Sequence, residues 1–70
     1  MENIIINYEM IKRYEKENNL SSKQFCEKCN ISWYAYSKIV KKEMVKVRVI
    51  YKIAVLLDVK LMDLLLFNQT

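Results

Sequence analysis

The stretch Leu20–Ser32, LSSKQFCEKCNIS, decides the fold. Ser21 suits a helix N-cap, because its hydroxyl can accept from a backbone N–H of the first turn, and Gln24 three positions on completes a capping-box pattern. A helix of about two turns is expected from there. Phe25, Cys26 and Cys29 stand at i, i+1 and i+4 and share its apolar side, while Lys23, Glu27 and Lys28 face out. Asn30 should close the helix, since asparagine enters the left-handed region more cheaply than most residues. Ile31 then turns into the core. Ser32 can cap a third helix from Trp33 to about Lys41, with Tyr36, Ile39 and Val40 inside and Trp33, Tyr34, Ser37, Lys38 and Lys41 outside.

Working outward, YEMIKRYEKENN (Tyr8–Asn19) places Met10, Ile11 and Tyr14 on one helical face and should end at Asn18 and Asn19. Downstream, VIYKIAVLLDV (Val49–Val59) sets Ile50, Ile53, Ala54 and Leu57 at i, i+3, i+4 and i+7, and Asp58 should close that helix. LMDLLLF (Leu61–Phe67) is expected to form a short last helix whose apolar tail packs on the core or on a second subunit. A competing pattern is present. VKVRVIY (Val45–Tyr51) alternates with period two and NIIIN (Asn3–Asn7) is β-branched, so a small strand pair is an alternative. The chain holds no Gly and no Pro, which leaves Asn, Ser and Asp to mark its joints.

Seventy residues suffice for one small core, and a single domain spanning residues 1–70 is expected. No apolar run approaches the roughly 20 residues of a membrane span, and MENIIINYEM lacks the basic start and cleavage site of a secretory leader. A cytoplasmic protein with reduced thiols is the expectation.

The formal charge of +4 is unevenly spread. Residues 1–22 carry a net −1, residues 23–52 a net +6 and residues 53–70 a net −1. A basic centre between near-neutral flanks is the footprint of a phosphate-binding surface, with solvated lysines as the plain alternative.

The two cysteines, three apart, invite a metal or redox reading. A structural zinc site needs four ligands, and this chain has one Cys pair and no His. A redox Cys-x-x-Cys sits at a helix N-terminus beside a strand, whereas these thiols fall within the second helix on its apolar side. They read as small hydrophobes, and no metal or cofactor is expected. Without His or a glycine loop, and with carboxylates scattered over exposed faces, catalysis is not expected either.

LSSKQFCEKCNIS resembles the Leu-Ser-x-x-x-Leu-Ala-x-x-x-Gly-Ile-Ser pattern of the lambda-repressor-like, Cro/Xre-type helix-turn-helix family, with Leu20, Ser21, Phe25, Cys26, Asn30, Ile31 and Ser32 in the matching places. IKRYEKENN upstream is similar to the family's first helix. IYKIAVLLDVKLMDLLLF downstream is similar to its Leu-x-x-Ile-Ala-x-x-Leu-Gly-Val-x-x-x-x-Leu-Leu ending, so the likeness covers roughly residues 10 to 67. The resemblance implies an all-α, compact five-helix bundle whose third helix enters the DNA major groove.

Carried over by position, Trp33 and Tyr34 occupy the first recognition places and Lys38 lies one turn on. Ala35 is small enough to let backbone or a thymine methyl approach, Ser37 faces outward, and Tyr36 and Ile39 hold the helix to the core. Lys38, Lys41, Lys42, Lys46 and Arg48 would flank the groove and neutralise phosphates, and Ser22 and Lys23 would meet the backbone at the start of the second helix. Trp33 and Ser22 replace glutamines that the family often uses to read a base, so its specificity does not transfer. For Trp33 and Tyr34, packing or self-association is the alternative to DNA contact.

The function so implied is a sequence-specific regulator binding double-stranded DNA, a repressor of phage or mobile-element type on a palindromic operator as a homodimer, with no small-molecule ligand. The alternative from another class is a helix-turn-helix protein-interaction module, such as an antitoxin or phage-encoded inhibitor, using Trp33, Tyr34 and the apolar tail as anchors.

Overall fold

With no glycine to end its helices, the chain bends four other residues into the left-handed region. The computed structural model describes the backbone of residues 2–69 and the side chains of residues 5–66. Helix α1 (Tyr8–Glu17) closes at Asn19 (φ 57°), α2 (Ser22–Cys29) at Asn30 (φ 61°), α3 (Trp33–Val40) at Lys42 (φ 62°) and α4 (Val47–Leu57) at Asp58 (φ 57°). Asparagine and aspartate accept this geometry with a local hydrogen-bonding side chain, whereas a left-handed lysine costs about 1–2 kcal/mol. Three of the four closures fall on the residues the pattern marked, and Lys42 is the unmarked one.

The two outer segments are where expectation and structure part. Helix α5 is one turn, Leu61–Leu64, and the chain then runs extended as β2 (Leu65–Gln69) instead of continuing the helix. It pairs antiparallel with β1 (Glu2–Ile6), from Ile6 opposite Leu65 to Glu2 opposite Gln69, and the Asn7 N–H extends the ladder to the Leu64 carbonyl at 2.8 Å. The unpaired polar edge of a β-branched strand outweighs the helical preference of three leucines. The strand at NIIIN therefore forms, yet its partner is the tail and not VKVRVIY. That run is helical from Val47, because Val49, Ile50, Ile53 and Ala54 bury together only at helical spacing. The side chain of Phe67 lies outside the described residues.

Ile11, Phe25, Ile39, Ile53 and Leu64 are fully buried, one from each helix, with Ile6, Tyr36, Ala54 and both cysteines around them. Fully burying such an aliphatic or aromatic side chain contributes about 1.5–3 kcal/mol. Phe25 packs edge-on against Tyr14 and Tyr36 at 6.1 and 6.0 Å, so α1, α2 and α3 meet around it. Val40, expected inside, is 43% exposed, because α3 ends there and the chain turns away through Lys41 and Lys42.

Candidate nucleic-acid interface

The interface is built from two capped helix starts and the turn between them. The Ser21 hydroxyl accepts from the Gln24 N–H at 3.1 Å, and the Gln24 side-chain oxygen accepts from the Ser21 N–H at 2.9 Å, so the capping box is complete. Asn30 reverses the chain, with the Ile31 N–H returning to the Cys26 carbonyl at 3.1 Å. The Ser32 hydroxyl then accepts from the Ala35 N–H at 3.1 Å and starts α3. From the far side, the Lys52 ammonium donates to the Asn30 carbonyl at 3.0 Å. One of the cations in the basic centre is therefore spent on holding the turn.

Helix α3 presents Trp33 and Tyr34 at its exposed start, 58% and 71% accessible. Trp33 is not free to swing. Its ring stacks on Tyr36 at 5.4 Å and 14° between planes, leaving one face outward. The Lys38 ammonium lies 5.1 Å from the centre of the Tyr34 ring, an arrangement that holds the cation near the helix start at a contribution of about 0.5–1 kcal/mol. Ser37 and Lys38 are half-buried, whereas Lys23, Lys41, Lys42, Lys46 and Arg48 are exposed. Lys46 is also the N-cap residue of α4, where an ammonium, having only donors, can cap no backbone N–H.

Two positions differ from expectation. Ala35 is buried, on the floor of a groove it shares with Ser32, Tyr34, Lys38, Val45 and Val49. Its smallness lets α3 lie close beside the start of α4, and little of its methyl is left exposed. Ser22 is half-buried with its hydroxyl 3.0 Å from that of Tyr36. The Tyr36 hydroxyl donates to the Glu15 carboxylate at 2.8 Å, which uses its one proton. Ser22 must then donate inward to Tyr36, and Tyr8 at 3.3 Å does the same. A phosphate oxygen has no proton to offer the lone pairs that Ser22 keeps. What position 22 presents outward is its backbone N–H, one of the first-turn donors without an intrahelical partner.

This Tyr36 hub joins Tyr8, Glu15, Ser22 and Trp33 across three helices, and sequence spacing marked Tyr36 only as a core residue. Burial pushes its phenol well above the ordinary tyrosine range, so it remains a donor. The thiols are inert for a related reason. Burial pushes Cys29 up to about 11, with Cys26 adding to the rise and Lys52 opposing it; burial raises Cys26 too, helped by Glu15 and Glu27. Both are free and buried. Among the described residues, no three His, Cys, Asp or Glu side chains gather as a metal site, and no helix is long and apolar enough to cross a membrane.

A capped α2, a left-handed turn and a capped, basic, aromatic α3 define a helix-turn-helix protein of the DNA-binding class. The family model of the Cro/C1-type HTH DNA-binding domain matches residues 10–70, and the chain belongs to that family. No curated protein and no solved structure matches it at significance.

Proposed function

We propose that this DNA-binding regulator is a repressor that binds a palindromic operator as a homodimer, with α3 in the major groove of each half-site. The observation that carries the reading is the coincidence of the exposed start of α3, Trp33, Tyr34 and the Lys38 held over Tyr34, with the exposed cations Lys41, Lys42, Lys46 and Arg48 beside it. Aromatic faces and a placed ammonium can meet base edges and sugars, while the outer cations position the helix on phosphates. The backbone N–H groups of Ser22 and Lys23 add a phosphate contact at the start of α2.

Selection from a random duplex library followed by binding at several salt concentrations tests this. Each phosphate neutralised adds about 0.9 to the logarithmic salt slope, so the four outer cations Lys41, Lys42, Lys46 and Arg48 set a slope of about −3.6 per half-site. A twofold-symmetric selected sequence with that slope is the expected result. A salt-insensitive interaction, or no enriched sequence, overturns the reading.

A further inference from the structure

Trp33 and Tyr36 stand one helical turn apart on α3, and their stacked rings run from the surface into the core, Trp33 being exposed and Tyr36 buried. The inner ring is anchored more heavily than packing alone requires. Its hydroxyl donates to Glu15 and accepts from Ser22 and Tyr8, which uses its one proton and both lone pairs. Those partners sit on α1 and α2, so the far end of the ring is fixed from two helices other than its own. Tyr8 and Phe25 meet the ring edge-on, each at 6.0 Å, and Trp33 lies nearly parallel to it. A leucine here would supply apolar bulk and none of these bonds.

We propose that Tyr36 is a positioning residue for sequence preference: through its ring and its hydroxyl bonds it fixes the plane of Trp33, whose outward face then meets the duplex in one orientation. The proposal deepens the operator reading above and rests on it. Tyr36 is buried, so it acts on DNA through Trp33 alone. Its effect is confined to contacts that depend on direction. An indole held before binding loses little freedom on binding, and a contact of fixed geometry discriminates between base pairs, whereas phosphate contacts from exposed cations form on any duplex. A fixed Trp33 therefore serves the selected sequence and adds little on a scrambled one.

The test uses the full chain as three variants. Tyr36→Phe keeps the ring and removes its bonds, Tyr36→Leu removes the platform as well, and Ile39→Val trims a buried residue of the same helix outside the hub. Circular dichroism checks that each folds, and Tyr36→Phe, which keeps the buried ring, carries the test if Tyr36→Leu does not. Trp33 is the chain's one tryptophan, so indole emission reports on this ring alone. Its time-resolved anisotropy should show the indole turning with the whole protein in the parent and in Ile39→Val, with a fast local component in Tyr36→Phe and a larger one in Tyr36→Leu. The ratio of affinities for the selected and scrambled duplexes should fall about tenfold in Tyr36→Phe, the size of one mismatched base pair, and further in Tyr36→Leu, with affinity for the scrambled duplex and its salt slope unchanged. An indole as rigid in Tyr36→Phe as in the parent, an undiminished preference in a variant whose indole is loose, or an equal loss of preference in Ile39→Val would overturn the proposal. Should the parent prefer no duplex, the operator reading fails, while the anisotropy still decides whether Tyr36 holds Trp33.

Discussion

Two turns flank α3, and they are built to opposite ends. At the α2–α3 turn, left-handed Asn30 follows buried Cys29, and Lys52 reaches across to fix its carbonyl. At the α3–α4 turn, left-handed Lys42 follows exposed Lys41, and the bonds that close it are backbone ones, from the Lys42 N–H to Ile39 and the Glu43 N–H to Lys38 at 3.0 and 2.9 Å. The first is tied to the core and sets the direction of α3, the proposed reading helix. The second places lysine where asparagine or glycine would be easier, which trades backbone comfort for charge beside the interface.

Substitutions at matched positions should separate the two. The largest effect belongs to Cys29→Ser, which buries a hydroxyl in an apolar site and should lower unfolding free energy by about 1–3 kcal/mol; Lys41→Ser should stay within about 0.5 kcal/mol. Urea titrations of both decide whether the turns differ as described. Next, Asn30→Ala should lose about 1 kcal/mol, because alanine brings a Cβ without a local polar partner. Lys42→Gly should gain up to about 1 kcal/mol, the left-handed strain relieved exceeding the glycine entropy, while DNA affinity drops with the lost charge. Equal losses at both sites would erase the distinction. Smaller still, Lys52→Met should cost no more than about 0.5 kcal/mol, because water can take up the exposed Asn30 carbonyl it frees. Lys42→Gln should leave stability nearly unchanged and make the salt slope shallower by about 0.9 per half-site.

The first turn also carries a pH signature. The folded Cys29 thiol ionises at about 11 against an ordinary 9, so above pH 9 the unfolded chain releases a proton that the folded chain keeps. The contribution of the neutral thiol is whole below pH 9 and is lost as pH rises toward 11. Cys29→Ala should remove part of that alkaline decline in denaturant melts, and an unchanged decline would place its origin elsewhere.

How far the sequence carries this account depends on the range of the interactions involved. The Ser21–Gln24 capping box, the Ser32 cap, the Asn30 turn and the helical spacing of Ile50, Ile53, Ala54 and Leu57 are local patterns, and the structure follows them. The tail escapes, because Leu65–Gln69 is a strand only by virtue of β1, some sixty residues earlier in the chain. Val40 and Ala35 escape for a related reason: Val40 is left exposed where α3 ends and the chain turns away, and Ala35 is covered beside the start of α4, neither of which local periodicity encodes. The Tyr36 hub and the Lys52 bond link residues distant in sequence, and no spacing rule announces them. Of the interface, the composition of α3 was visible beforehand. The inward commitment of the Ser22 proton and the pinning of Trp33 against Tyr36 required coordinates.

The most direct test of the central claim is fluorescence anisotropy of the parent chain and the Trp33→Ala, Lys38→Ala double variant on the selected duplex and on a scrambled one. Trp33 is exposed and Lys38 half-buried, and neither is among the buried core residues, so the fold should survive their truncation. Loss of preference for the selected duplex, with residual salt-sensitive binding to both, is the predicted result. A double variant that keeps the parent's preference would show that α3 does not read the operator.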